Sequence, residues 1–264
     1  MKGAIGLGIV AVVGAMAVLS FVWTPYDVAA LDIAHRLAPG SIAHLLGTDQ
    51  YGRDLLSMLM AGGRPSIGVA LLAVAIGVGG GVPSGLLAAA KPGWVDETIA
   101  RGADILFAFP ALVLALLIVA VAGPGAAHAG IAIGLFNVPV FARLTRAAAR
   151  SIWARDFILA ARLAGRGATR ISIEHVLPNI AGALLVQALV QLSLGLIAEA
   201  GLSFLGLGAQ PPVPSWGRML ADGQTLIGVA PRLVLLPGLF ILLTVLGINL
   251  AGDGLRARFG IGRE

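Results

Sequence analysis

Long apolar runs alternate with polar stretches along the whole chain, and the runs set the elements to expect. Residues 3–23, 66–90, 102–122, 128–148, 176–200 and 233–251 are each dominated by apolar side chains. Each is on the scale of the about 20 helical residues that cross a hydrocarbon core of about 30 Å. Six transmembrane helices follow, in an all-α membrane protein whose single domain spans 1–264. The first run comes directly after Lys2, the outline of a secretory signal. It is longer than the roughly 7–15 apolar residues of a signal core, and no small-x-small cleavage pattern follows directly, so a first transmembrane helix is the expectation.

Within the spans, "GVGGGVPSG" puts Gly77, Gly81 and Gly85 four residues apart on one helical face. That spacing lets a neighbouring backbone approach closely. Pro83, Pro110, Pro139 and Pro237 fall in or beside spans. Each removes a backbone donor and can open a kink, as in moving pores and inert membrane helices alike.

Composition agrees with the pattern. Of 264 residues, 58% are hydrophobic and 12% charged, against about 45–50% and 25% in soluble domains. The net charge of +5 is distributed by topology. With the N-terminus inside, thirteen of the eighteen basic residues flank the inner ends of spans: Lys2, Lys91, Arg101, Arg143, Arg146, Arg150, Arg155, Arg162, Arg166, Arg170, Arg256, Arg258 and Arg263. Only Arg36, Arg53, Arg64, Arg218 and Arg232 remain outside. Both termini are therefore expected in the cytoplasm. Basic residues flanking spans, with no aromatic-interleaved face, argue against a nucleic-acid partner.

Few groups offer chemistry. The absence of cysteine excludes disulfides and a thiol nucleophile. His35, His44, His128 and His175 are scattered, without H-E-x-x-H or G-x-S-x-G, so neither a metal site nor a hydrolase is expected. No G-x-x-x-x-G-K-[ST] string is present to cradle phosphates. Asp104 reads as an interface or helix N-terminal partner. Glu199, in "LIAEAGLSFLGLG" at the outer end of the fifth span, has two readings. It faces the translocation path or gate, or it sits at the interface bonding the following turn; unpaired acids are costly at bilayer depth. An ion-coupled secondary transporter would show internal repeats and paired intramembrane acids. Here Glu199 stands alone.

Between the fourth and fifth spans lies "RDFILAARLAGRGATRISIEHVLPN", residues 155–179. Asp156 fits an N-cap, Arg162 the C-terminal turn and Gly165 the left-handed stop of a two-turn helix. Thr169 fits the cap of a second short helix, and Pro178 the entry to the fifth span. Two readings stay open: an elbow with a small apolar centre (Ala160, Ala161, Ala164) that docks in a groove, or a basic loop that holds topology.

The stretch resembles the EAA loop of ABC-transporter permeases: E-A-A, three residues, Gly, nine residues, an apolar residue, one more, then L-P. Ala160, Ala161, Gly165, Leu177 and Pro178 fall on that pattern, while Leu159 takes the place of the Glu and His175 that of the apolar residue. "HLLGTDQYGRDLLSML" (44–59), "ADILFAFPALVLALL" (103–117), "GLSFLGLGAQPPVPSWGRMLADG" (201–223) and "NLAGDGLR" (249–256) are similar to the second permease subunit of the dipeptide, oligopeptide and nickel importers. The resemblance implies a type I ABC importer permease fold in a bacterial inner membrane. It also implies a pore subunit that moves di- or oligopeptides, or alternatively nickel or a metal chelate, by alternating access.

By the same resemblance, 156–178 is the coupling region seated on an ATPase, through Asp156, Leu159, Ala160, Ala161, Arg162, Gly165, Leu177 and Pro178. The partners it implies are a homologous second permease subunit, two ATP-binding subunits that carry ATP and Mg, and a periplasmic or lipid-anchored substrate-binding protein. No cofactor is implied on this chain. Segments 24–64 and 201–232 would form the receiving surface, with Thr48, Asp49, Gly52, Arg53 and Asp54 in a periplasmic scoop. Leu55, Leu56 and Leu59 suggest there a short helix lying at the membrane surface.

Overall fold

A computed structural model describes residues 2–259. Arg263, counted above among the inner basic residues, lies outside them. Ten α-helices form among the described residues: α1 Lys2–Leu19, α2 Leu55–Ala90, α3 Trp94–Ala108, α4 Ala111–Ala122, α5 Ala126–Trp153, α6 Asp156–Leu163, α7 Ala168–Ile171, α8 Leu177–Phe204, α9 Trp216–Gly223 and α10 Arg232–Phe259. Five continuous helical stretches, including Ala168–Phe204, are long and apolar enough to span a membrane, and α3 with α4 makes a bent sixth.

The axes of α3 and of Val113–Ala122 in α4 differ by 86°. The break has a local cause: Pro110 cannot continue the helical bonding, and Phe109 before it is extended, with ψ 132°. Hence the third apolar run, expected as one helix over 102–122, is two.

The core of the bundle is the pairing of α2 with α5. Side chains interlock in both directions: a Cβ on Gly77, Gly81 or Gly85 would come within 2.5–2.6 Å of atoms of Asn137, Val138, Ala142 or Thr145. Conversely, Leu72 and Ile76 of α2 press on Gly130 and Gly134 of α5. Residue numbers rise together along this seam, so α2 and α5 run parallel. Small residues allow the close approach that dispersion needs where lipid offers no hydrophobic drive. α1 and α10 cross equally closely but antiparallel, with Gly3 against Gly254 and Gly6 against Gly247 and Ala251.

Alternating directions give the bundle two unlike ends. One gathers the start of α1, the α2–α3 turn, the segment between α5 and α8, and the C-terminal part of α10; we call it the elbow end. The other, the cap end, gathers 20–54, the α4–α5 turn and 205–231, where the Gly125 amide donates to the Leu207 carbonyl at 3.1 Å.

The cap corrects one expectation. No separate surface helix follows residue 54; instead α2 starts at Leu55, eleven residues before the expected span, and runs unbroken for 36 residues. At about 1.5 Å per residue it is roughly 54 Å long, more than a bilayer core. Leu55, Met58 and Leu59 are buried against Trp216, Met219 and Leu233 rather than laid on lipid. The Trp216 indole donates to the Leu59 carbonyl at 2.9 Å, which locks α9 onto this extension.

Candidate coupling site

The elbow is built from both of its ends. α6 begins at Arg155 as N-cap, with Asp156 one position inside the first turn and no side-chain cap bond, so the expected Asp156 cap is corrected by one residue. Its acidic side chain still lies in the first turn, where the helix dipole favours it. The end is as the sequence suggests: Gly165 has φ +78°. The Arg166 amide donates to the Ala161 carbonyl at 3.1 Å and the Gly165 amide to that of Arg162 at 2.9 Å, which is a Schellman stop. α7 is capped at Gly167 rather than Thr169.

Between α7 and α8 the chain keeps turning through a wide π turn, Ser172–Val176, in which the Leu177 amide donates to the Ser172 carbonyl. Pro178 has no amide to donate to the carbonyl four residues back, and the wider turn absorbs that gap. The Asn179 side chain donates to the His175 carbonyl at 2.6 Å. α7, the π turn and the fifth span are thus one continuous helical rod.

The inner face of the elbow is a small core. Ile158, Ala161, Ile171, Val176 and Ile180 pack against Ala89 of α2 and Ala149 and Ile152 of α5. Ala161, expected at a docking centre, therefore points into this chain. Asp156, Ala160, Arg162, Gly165 and Pro178 are exposed, and Leu177 is half-buried. Outward apolar side chains are large: Leu163 is 83% exposed and Leu159 57%, with Ile173 and Phe157 also exposed. Arg162 lies over the Trp153 ring at 4.8 Å. Arg166 and Arg170 both pair with Glu174, Arg170 at 2.7 Å.

At the cap end, Thr48, Asp49 and Asp54 are buried and satisfied within the chain. The Asp49 carboxylate accepts from the Tyr51 and Arg53 amides at 2.8 and 2.9 Å and from Arg53 Nε at 2.7 Å. Asp54 caps α2, accepting from the amide and hydroxyl of Ser57 at 2.8 and 2.7 Å, with His44 Nδ1 3.0 Å away. Thr48 donates to the His35 carbonyl at 2.5 Å. Gly52 has φ +78°, and a Cβ there would lie 1.7 Å from the Asp32 carbonyl oxygen. The His35 side chain, hydrogen-bonded to Asp32, holds its carboxyl below the usual carboxylate range.

Glu199 is 0% exposed. One carboxylate oxygen accepts from Ser203 at 2.6 Å, the bond to the following turn that was its second reading. Ser66 of α2 and Ser215 before α9 stand near it. Asp104 is inside α3, paired with Arg143 of α5, not at a helix N-terminus.

Two clusters went unread in the sequence. Asp96 pairs with both Arg146 and Arg150, joining α3 to α5. Asn137, Gln191 and Gln187 form a chain of side-chain amides inside the spans. The signal for the second was available: lone amides in "GLFNVPV" and "LLVQALVQLSL", two of them four residues apart.

An all-α bundle whose spans are tied to a partly apolar, outward-facing elbow defines an integral membrane subunit of a transport machine. The comparisons agree. Residues 81–260 match the family described as "Binding-protein-dependent transport system inner membrane component". The chain belongs to that family. It is 48% identical over 83% of its length to the "Di/tripeptide transport system permease protein DppC" of Pseudomonas aeruginosa, covering 73% of that protein. It is 41% identical to the "Dipeptide transport system permease protein DppC" of Alkalihalophilus pseudofirmus, over 93% of this chain and 84% of that one. The "Glutathione transport system permease protein GsiD" of Pectobacterium atrosepticum is 41% identical, over 88% and 77%. Among solved structures, a chain of the MetNI methionine ABC transporter in inward-facing conformations matches with TM-score 0.58 at 20% identity, over 73% of this chain and 92% of that one, a likeness of fold.

Proposed function

We propose that the chain is one of two pore-forming subunits of an ATP-driven importer of di- and oligopeptides, paired with a homologous permease and fed by a substrate-binding protein. The substrate class rests on relatives named for di/tripeptide, dipeptide and glutathione transport. The mechanism rests on one observation: the elbow exposes Leu159 and Leu163 while its inner face is packed onto α2 and α5. Such a piece transmits force. Its outer side suits a cleft in a separate ATP-hydrolysing subunit, where ATP and Mg would bind. Its inner side is fastened to α2, α5 and, through the continuous π turn, α8. Close packing along the glycine seam makes these helices move together rather than deform.

In this reading the elbow end is cytoplasmic, in line with the bias of basic residues, and the cap faces the binding protein. Nucleotide-driven closure of the ATPases then shifts the bundle between outward and inward access. ATP binding and pore state bias each other equally, as linkage requires.

Leu163→Asp tests the coupling. Leu163 touches little of its own chain, so the variant is expected to reach the membrane at wild-type level. Copurification of the ATPase subunits and ATP-dependent dipeptide uptake should each fall at least about tenfold, the cost of a charge in an apolar contact. Normal uptake with bound ATPases would refute the proposed seat.

A further inference from the structure

A cavity of about 230 Å³ lies between α4, α5 and α8, from the middle of the spans toward the cap end. Its apolar wall includes Ile133, Phe136, Leu194 and Ala198, and Leu194 is more than half exposed. Its polar groups are Asn137 and Gln191, both over nine-tenths buried.

These amides are joined head to tail. Gln187 Nε2 points to Gln191 Oε1 at 3.4 Å, Gln191 Nε2 donates to Asn137 Oδ1 at 2.6 Å, and Asn137 Nδ2 donates to the Ala73 carbonyl of α2 at 3.2 Å. A primary amide has two N–H donors and an oxygen that accepts twice. Gln191 uses one of each within the chain, so among the described residues it keeps one N–H and one acceptor site at the cavity wall. Interhelical adhesion would need only the bond between Gln191 and Asn137. It accounts neither for Gln187, one turn away on the same face of α8, nor for the open volume beside the pair.

We propose that this cavity is a solute subsite in which Gln191, held by Asn137 and continued by Gln187, hydrogen-bonds the peptide bond of the transported peptide. The inference rests on the peptide-importer reading above. A primary amide can accept from a peptide N–H or donate to a peptide C=O, whatever side chains flank them. The apolar wall takes a side chain: the volume exceeds the roughly 150 Å³ of an apolar cavity that accepts benzene. An uncharged site also holds peptides weakly enough to release them, as conduction through a pore demands.

The test uses the assembled complex with its permease, ATPase and binding-protein partners. Uptake of alanyl-alanine is compared with that of alanyl-lactate, in which an ester oxygen replaces the peptide N–H. Wild type should prefer the amide, and Gln191→Leu should lower that preference about three- to tenfold. Because the binding protein is unchanged, a shift in the ratio reports on the pore. Ala198→Leu fills the cavity from its wall and should lower uptake of phenylalanyl-phenylalanine relative to alanyl-alanine about fivefold or more. This second ratio decides the matter if Gln191→Leu does not assemble. Equal uptake of amide and ester by wild type, or ratios unmoved by the variants that assemble, would overturn the subsite while leaving the importer reading intact. A wild-type complex that carries neither alanine probe would overturn both.

Discussion

The cap and the elbow are two polar regions of an apolar chain, and they dispose of their carboxylates in opposite ways. In the cap, the side chains of Thr48, Asp49 and Asp54 are buried and bonded to backbone groups, the Ser57 hydroxyl and Arg53. In the elbow, charged groups lie at the surface and large apolar side chains project outward at Leu159 and Leu163. A buried polar group unpaired in low dielectric is costly, and the bonds around Asp49 and Asp54 hold that part of the cap in one shape. The elbow is complete only on its inner side. Its outer side keeps the apolar surface that a partner would remove from water.

Gly52 and Gly165 sharpen this contrast most, because both have φ +78°. At Gly52 a Cβ would collide with the Asp32 backbone; at Gly165 it would meet nothing within 4 Å. Gly52→Ala is therefore expected to cost more than about 4 kcal/mol, with most of the chain lost from the membrane fraction. Gly165→Ala should cost only the left-handed strain, about 1–2 kcal/mol. Expression level and thermal unfolding of the two variants in detergent measure the difference. Comparable losses would mean that the elbow is as rigidly buried as the cap.

The next largest effect is expected at Asp49. Asp49→Ala leaves two amides and the mostly buried Arg53 guanidinium without their acceptor, at a cost of about 2–4 kcal/mol. A midpoint unchanged in thermal unfolding would show that water replaces the carboxylate and that the cap is looser than its bonding indicates.

The same contrast explains what could be read from the sequence. Gly165 and the spacing of Gly77, Gly81 and Gly85 were legible because backbone geometry and helical period are local properties. The start of α2 was not, although Asp54 and Ser57 carried a capping signal: the preceding polar run suggested a surface segment, and burial of Leu55 and Leu59 by Trp216 comes from 157 residues away. The facing of α6 was illegible for another reason. "DFILAARL" is apolar nearly all round, so its period could not tell Ile158 and Ala161, which turn inward, from Leu159 and Leu163, which turn out. Glu199 was readable as costly, but not as buried, since the serines around it come from α2, from α8 and from the residue before α9. The bond between Gln191 and Asn137 joins positions 54 apart, and no pattern within either span predicts the match.

The smallest effect is expected at Glu174, the elbow's counterpart to Asp49. Glu174 also bridges arginines, Arg166 and Arg170, but Arg170 is 65% exposed and the carboxylate itself more than a third. Water and salt screen such a pair, so Glu174→Gln should change stability far less than Asp49→Ala does, and by less still at high ionic strength. Thermal unfolding at low and high salt checks this. A loss as large as that of Asp49→Ala would mean that Glu174 is enclosed even in the isolated chain, and the contrast between the enclosed Asp49 and the screened Glu174 would fail. If the loss is small but ATP-dependent uptake falls, the charge matters in the assembled transporter, where a neighbouring subunit would exclude the water that screens it here.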